Sequence, residues 1–84
     1  MNNLINVEII SAEGYLFQGE AYQVVVPTVS GMMGVLAGHE QVVSELQEGK
    51  IEIIDTNNKI EKVVEVKSGM AEIHAGGLRI LIDS

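Results

Sequence analysis

The stretch Ile51-Glu52-Ile53-Ile54-Asp55-Thr56-Asn57-Asn58-Lys59-Ile60-Glu61-Lys62-Val63-Val64-Glu65-Val66-Lys67 decides the fold class. Two runs rich in Ile and Val flank Thr56-Asn57-Asn58, and asparagine tolerates positive φ, so the segment reads as a β-hairpin. In the first run Ile51 and Ile53 flank Glu52, and the strand ends at Asp55. In the second, Val64 and Val66 face one way while Glu61, Glu65 and Lys67 face the other, with Val63 between them. That period of two belongs to a half-buried sheet.

Working outward, turn signals recur about every 8–12 residues, the spacing of an all-β sandwich or barrel. They fall at Ala12-Glu13-Gly14, Gln18-Gly19-Glu20, Ser30-Gly31, Gly38-His39, Gln47-Glu48-Gly49, Lys67-Ser68-Gly69 and Ala75-Gly76-Gly77. Residues 6–10 alternate Val7 and Ile9 against Glu8, and residues 15–17 form a short run between glycine turns. Residues 21–26 end in Val24-Val25-Val26, a run that predicts burial on both faces, and Pro27 is expected to stop it. Residues 41–46 suit either a strand or one turn of helix. Residues 70–74 and 78–83 form a last pair, with Leu78, Ile80 and Ile82 on one face and Arg79, Leu81 and Asp83 on the other. No window holds a helical period over three turns. The expectation is one all-β domain over residues 1–84, a two-sheet β-sandwich of about nine or ten short strands.

Composition narrows the function. There are no cysteines, which excludes disulfides, thiolate metal sites and cysteine catalysis. The first residues lack the basic segment and apolar run of a secretory signal, and no apolar run approaches the ~20 residues of a membrane span. Twelve acids against five scattered bases give a net charge of −7. Nucleic-acid binding and direct insertion into anionic lipid are not expected, whereas a basic protein partner suits this charge. His39 and His74 lie far apart in sequence, with no ligand pair at metal spacing, so neither a metal site nor a cofactor is expected. Ser11, Ser30, Ser44 and Ser68 read as turn caps or strand starts, outside any nucleophile-elbow pattern. Gly31, Gly34 and Gly38 do not make a phosphate loop, because His39-Glu40 follows Gly38 where a Walker motif has Lys and Ser or Thr. Lys59 beside Asn57-Asn58 is the candidate for a biotinyl or lipoyl carrier lysine, but its neighbours do not resemble those families' settings. A solvated turn lysine is the simpler account.

Residues 30–39, Ser-Gly-Met-Met-Gly-Val-Leu-Ala-Gly-His, stand apart. They hold three of the nine glycines, two adjacent methionines and no acid, lysine or arginine. The reading is a hairpin with a turn at Ser30-Gly31, a brief strand from Met33 to Leu36 and a second turn at Gly38. Methionines near such a tip are poorly buried and suit contact with an apolar partner surface. Composition alone equally allows them to fill a gap between sheets.

Across nearly its whole length the chain resembles the epsilon subunit of F-type ATP synthases, the delta subunit in mitochondrial naming. The likeness rests on Val7-Glu8-Ile9-Ile10-Ser11-Ala12-Glu13-Gly14 with Leu16-Phe17 and Gly19-Glu20, then Gly31-Met32-Met33-Gly34-Val35-Leu36-Ala37-Gly38-His39. It continues through Gly49-Lys50-Ile51-Glu52-Ile53, Val66-Lys67-Ser68-Gly69-Met70-Ala71-Glu72-Ile73 and Leu78-Arg79-Ile80-Leu81-Ile82-Asp83. The resemblance implies a non-catalytic central-stalk subunit at the cytoplasmic face of a bacterial inner membrane, coupling the gamma subunit to the c-ring of a proton- or sodium-translocating synthase. It implies partner-binding roles for Ser30, Gly31, Met32, Met33, Gly34, His39 and Glu40, with His39 toward gamma and the methionines toward the c-ring. Met32 replaces the family's acidic residue at this loop, which implies a more apolar and less ionic c-ring contact. Ala37 replaces a proline, and Glu40-Gln41 replace apolar or proline residues. The family's C-terminal helical hairpin, which can inhibit ATP hydrolysis and in some members binds ATP, has no counterpart up to Ser84. No nucleotide is therefore expected on these residues.

Overall fold

The computed structural model describes residues 3–83; Met1, Asn2 and Ser84 lie outside them, and with Ser84 the expected closing point of the sheet domain. Nine strands follow in order: β1 (Ile5–Ser11), β2 (Gly14–Ala21), β3 (Gln23–Thr28), β4 (Gly31–Leu36), β5 (Val42–Leu46), β6 (Gly49–Ile54), β7 (Ile60–Val66), β8 (Ser68–His74) and β9 (Gly77–Asp83). No helix occurs among the described residues. The open choice at residues 41–46 resolves as β5.

The strands pair as β2-β1-β9-β8-β5 and as β4-β3-β6-β7. The two groups meet where Thr28 of β3 pairs with Leu46 of β5, flanked by the Val29 N–H donating to Glu45 O (3.0 Å) and the Gln47 N–H donating to Pro27 O (2.9 Å). Every pairing is antiparallel except β1 with β9. One face of each group supplies a single aliphatic core. Val7, Ile9, Ile73 and Ile80 come from the first sheet, and Val24, Val26, Ile51 and Ile53 from the second. Alternation explains the choice, because residues two apart on a strand share a face. The hairpin of β6 and β7 and the Leu78, Ile80 and Ile82 face of β9 are as the alternation predicts. At the β6–β7 turn Asn58 takes φ 62°. The Asp55 carboxylate accepts from the N–H groups of Asn57 (2.8 Å) and Lys59 (3.0 Å).

Three local expectations fail. Gln18-Gly19-Glu20 is not a turn, since β2 runs through it to Ala21. Gly19 faces inward opposite Val7, with the Phe17 ring 3.4 Å from where a Cβ would stand, an ordinary contact distance. Pro27 does not end β3, which continues to Thr28. It pairs with Met32 in a position whose backbone groups turn away from β4, so the absent N–H costs no bond there. Val25 is not fully buried like its neighbours, because this sheet has a solvent face and Val25 lies on it between Gly34 and Glu52.

Candidate docking site

Thr28 and Gly31 close a two-residue turn, Val29-Ser30, so the turn sits one residue earlier than Ser30-Gly31 and Gly31 opens β4. The cap is Thr28, not Ser30. Its buried Oγ1 donates to Gly31 O (2.6 Å) and accepts from the Ser30 N–H (3.1 Å). Gly31 takes φ 124°, a conformation that strains residues carrying a Cβ. Of the serines, Ser11 does cap its turn by accepting from the Glu13 N–H at 3.2 Å and Ser68 starts β8, while Ser44 lies in the middle of β5.

The methionines do not act as a pair. Successive strand residues point to opposite faces, so Met32 stands outward at 63% exposure while Met33 turns in and packs against the core. The partner-facing and gap-filling readings are each right for one of them. Val29 joins Met32 at the tip with 54% exposure, a residue that sequence reasoning missed because it precedes the glycine-rich stretch. The tip is apolar and carries no charge of its own. Residues 21–39 contain no charged side chain, whereas the bond from Val29 to Glu45 brings β5 alongside, and Glu48 follows Gln47 in the next turn.

Strand geometry also separates residues that the sequence grouped together. Five steps at ~3.3 Å place Leu36 about 17 Å from Gly31. Ser30, Gly31 and Met32 thus lie at one end of the sandwich, His39 and Glu40 at the other, and Met33 and Gly34 along the strand between. At the far end the His39 N–H donates to Leu36 O (3.1 Å) across Ala37 and Gly38, with Gly38 at φ 83°. This fits a type II turn, in which glycine supplies the positive φ and the Ala37 position suits proline. His39 and His74, distant in sequence, line one open cleft of about 250 Å³ together with Leu36, Gln41 and Ile73. Each ring directs Nδ1 at the next residue's carbonyl, His39 to Glu40 O at 2.8 Å and His74 to Ala75 O at 3.2 Å. A carbonyl oxygen only accepts, so each of these contacts is a hydrogen bond when Nδ1 is the protonated nitrogen. Among the described residues no group of three or more His, Cys, Asp or Glu could hold a metal ion, and no helix is long and apolar enough to cross a membrane.

A second apolar surface went unread. On the outer face of the first sheet the register aligns Tyr15, Ile10, Leu81 and Met70 in one row, with Tyr15, Leu81 and Met70 exposed. One row further, Arg79 Nε donates to Glu8 Oε1 at 3.3 Å. The row is assembled from four strands, so no local pattern marks it.

Residues 4–84 match the family described as "ATP synthase, Delta/Epsilon chain, beta-sandwich domain". The chain is 34% identical over 80 residues to an ATP synthase epsilon chain of Bordetella avium, covering 95% of this chain and 56% of that one. It is 36% identical over 81 residues to the epsilon chain of Campylobacter lari, covering 96% and 62%. It therefore spans roughly three-fifths of these relatives' lengths. A chain in the mitochondrial ATP synthase of Euglena gracilis, from a structure of its OSCP, F1 and c-ring, superposes with a TM-score of 0.87 at 25% identity, over 98% of this chain and 52% of that one. A chain from the central stalk and c-ring structure of the Tetrahymena thermophila mitochondrial enzyme shares the fold, with a TM-score of 0.75 at 11% identity, over 95% and 63%.

Proposed function

The chain belongs to the ATP synthase delta/epsilon-chain β-sandwich family, and from that premise we propose that it is a non-catalytic rotor subunit coupling the gamma subunit to the c-ring. The assembly would be a proton- or sodium-translocating F-type synthase, with this chain peripheral on the cytoplasmic face of the inner membrane. The observation that carries this reading is the charge-free β3–β4 hairpin, with exposed Val29 and Met32 at a tip beside Glu45. An apolar tip on a chain of net charge −7 suits a basic, partly apolar protein surface, and opposite charge speeds and orients association. A coupler also needs more than one contact surface. Ser30, Gly31 and Met32 supply one, facing the c-ring. His39 and Glu40 supply another, facing gamma, with Met33 and Gly34 on the strand joining them. The Tyr15–Ile10–Leu81–Met70 row offers further apolar area.

No residue of this arrangement carries out a reaction in the proposal, because the chain's contribution is mechanical. The two ends are held at fixed separation by a strand laid across a closed aliphatic core, so torque applied at one end is transmitted to the other without a change in local structure. Titration of the folded chain with the cognate gamma subunit tests the reading. A stoichiometric complex at micromolar concentrations is expected, and no complex between the two folded proteins overturns it.

A further inference from the structure

We infer that the outer edge of β4 is a strand-addition site, which takes an extended, uncharged segment of a partner polypeptide as a further strand of the β4-β3-β6-β7 sheet. The inference rests on the rotor-subunit reading and takes the partner to be gamma. The Met32 side chain, normal to the sheet, is the part proposed to face the c-ring, whereas the backbone edge of β4 lies in the plane of the sheet and is open to a different chain.

The register defines which backbone groups are free to bond. Thr28 and Gly31 exchange bonds across the two-residue turn, because the Thr28 position faces away from β5 while its neighbours Pro27 and Val29 bond to that strand. Alternation then makes Val26 with Met33 and Val24 with Val35 the bonded pairs. The N–H and C=O groups of Met32 and Gly34, and the N–H of Leu36, point away from β3. Among the described residues β4 pairs with β3 alone. The Leu36 carbonyl is already taken by the His39 N–H, which sets the end of the open stretch.

Edges of this kind are usually guarded by charge, proline or a bulge, because they recruit other strands. Of the other three terminal strands, β5 carries Glu45 and meets β3 at Leu46, and β2 and β7 are guarded along their length. β2 pairs with β1 through a bulge at Ile9/Ile10 and carries Glu20. β7 pairs with β6 through a bulge at Ile53/Ile54 and carries Glu61, Lys62 and Glu65. β4 has neither charge nor proline, and its pairing with β3 runs six residues without a register shift.

The chemistry of the edge selects its occupant. Donors and acceptors at a strand repeat are complemented by another extended backbone. Met33 is only partly buried against the core margin, so an added strand completes its cover with an apolar inward residue. A charged inward residue would find no counter-charge anywhere in residues 21–39. A second copy of this chain is the weaker fit. Six-residue edges joined side by side bury well below the ~1,200 Å² of a stable interface, and each copy brings a charge of −7. A partner that also grips another surface does not depend on the edge alone.

The test uses this chain and the cognate gamma subunit. Amide exchange is measured in the free chain and in the complex, and affinity is measured for Met32→Pro and Met32→Ser. Proline at position 32 removes an outward N–H while sparing the bonds to β3; serine removes only the side chain. The inference expects the Met32 and Gly34 amides to become protected on binding. It expects Met32→Pro to weaken the complex about tenfold and Met32→Ser at most about threefold, with both variants keeping the free chain's circular dichroism. A wild-type complex in which these amides exchange as in the free chain overturns the edge while leaving the rotor reading standing. Failure of the wild type to bind overturns both. Protection in the free chain that rises with its own concentration assigns the edge to a second copy and overturns the proposed occupant.

Discussion

β4 and β7 are the two outer strands of the same four-stranded sheet, and they have been treated oppositely. β7 presents Glu61, Lys62 and Glu65 and pairs across a bulge, whereas β4 presents methionine, glycine and leucine on an unbroken register. Both lie over the same core, through Val64 and Val66 on one side and Val35 on the other, so burial does not account for the difference. The contrast is confined to the solvent side. One edge carries charges and a bulge, and the other has no charge, proline or bulge. In a chain where a fifth of the residues are charged, the bare stretch coincides with the proposed docking element.

The comparison is most severely broken at the turn that presents β4. Gly31→Ala meets no steric obstacle within 4 Å, so its cost comes from φ 124° alone, and urea unfolding should show a loss of about 1–3 kcal/mol. Asn58→Gly in the β7 turn, where φ is 62°, should shift stability by only about 0.5 kcal/mol. Next in size is the division of labour between the methionines. Met33→Ala should cost about 1–2 kcal/mol, less than a fully buried methionine, while Met32→Ser stays within about 0.5 kcal/mol in a thermal melt of the free chain. Equal losses at the two sites would show that the strand does not alternate. Smallest in stability, and most direct, is the removal of β7's safeguards. Replacing Glu61, Lys62 and Glu65 together by alanine should alter unfolding free energy by less than about 1 kcal/mol, yet produce concentration-dependent association in light scattering. A variant that stays monomeric would mean that β7 is kept single by its bulge and not by its charges.

Much of the fold could be read from local pattern, and the failures have physical causes. Alternation exposed the inward faces of β6, β7 and β9 because each strand buries one side only. The Asn57-Asn58 turn was readable because few residues accept φ 62°. β2 was cut short because Gln-Gly-Glu is ordinary turn chemistry, and only the pairing with β1 shows that the strand runs through it. The Val24-Val25-Val26 run looked buried on both faces because apolar content does not reveal which side of a sheet is covered. For the candidate site, residue types pointed to the right element, while its extent was misjudged. A compact loop would have gathered Ser30 and His39, and an extended strand holds them apart. Val29, the Tyr15–Met70 row and the shared His39–His74 cleft depend on register between distant strands, which sequence spacing does not carry.

The parallel pairing of β1 with β9 has a consequence for how this chain reaches its native state. β9 lies between β1 and β8, so the first sheet has a gap at its centre until the last strand is in place. Val7 meets Leu78 and Ile9 meets Ile80 only after about seventy intervening residues have been looped out. Nascent hairpins such as β6–β7 can form early, in microseconds, but they cannot seal the core. Folding should therefore be slow for the chain's length, in the millisecond-to-second range, and during synthesis it should wait until β9 has left the ribosome. Until then the uncharged hairpin of β3 and β4 stands without a closed core beneath it.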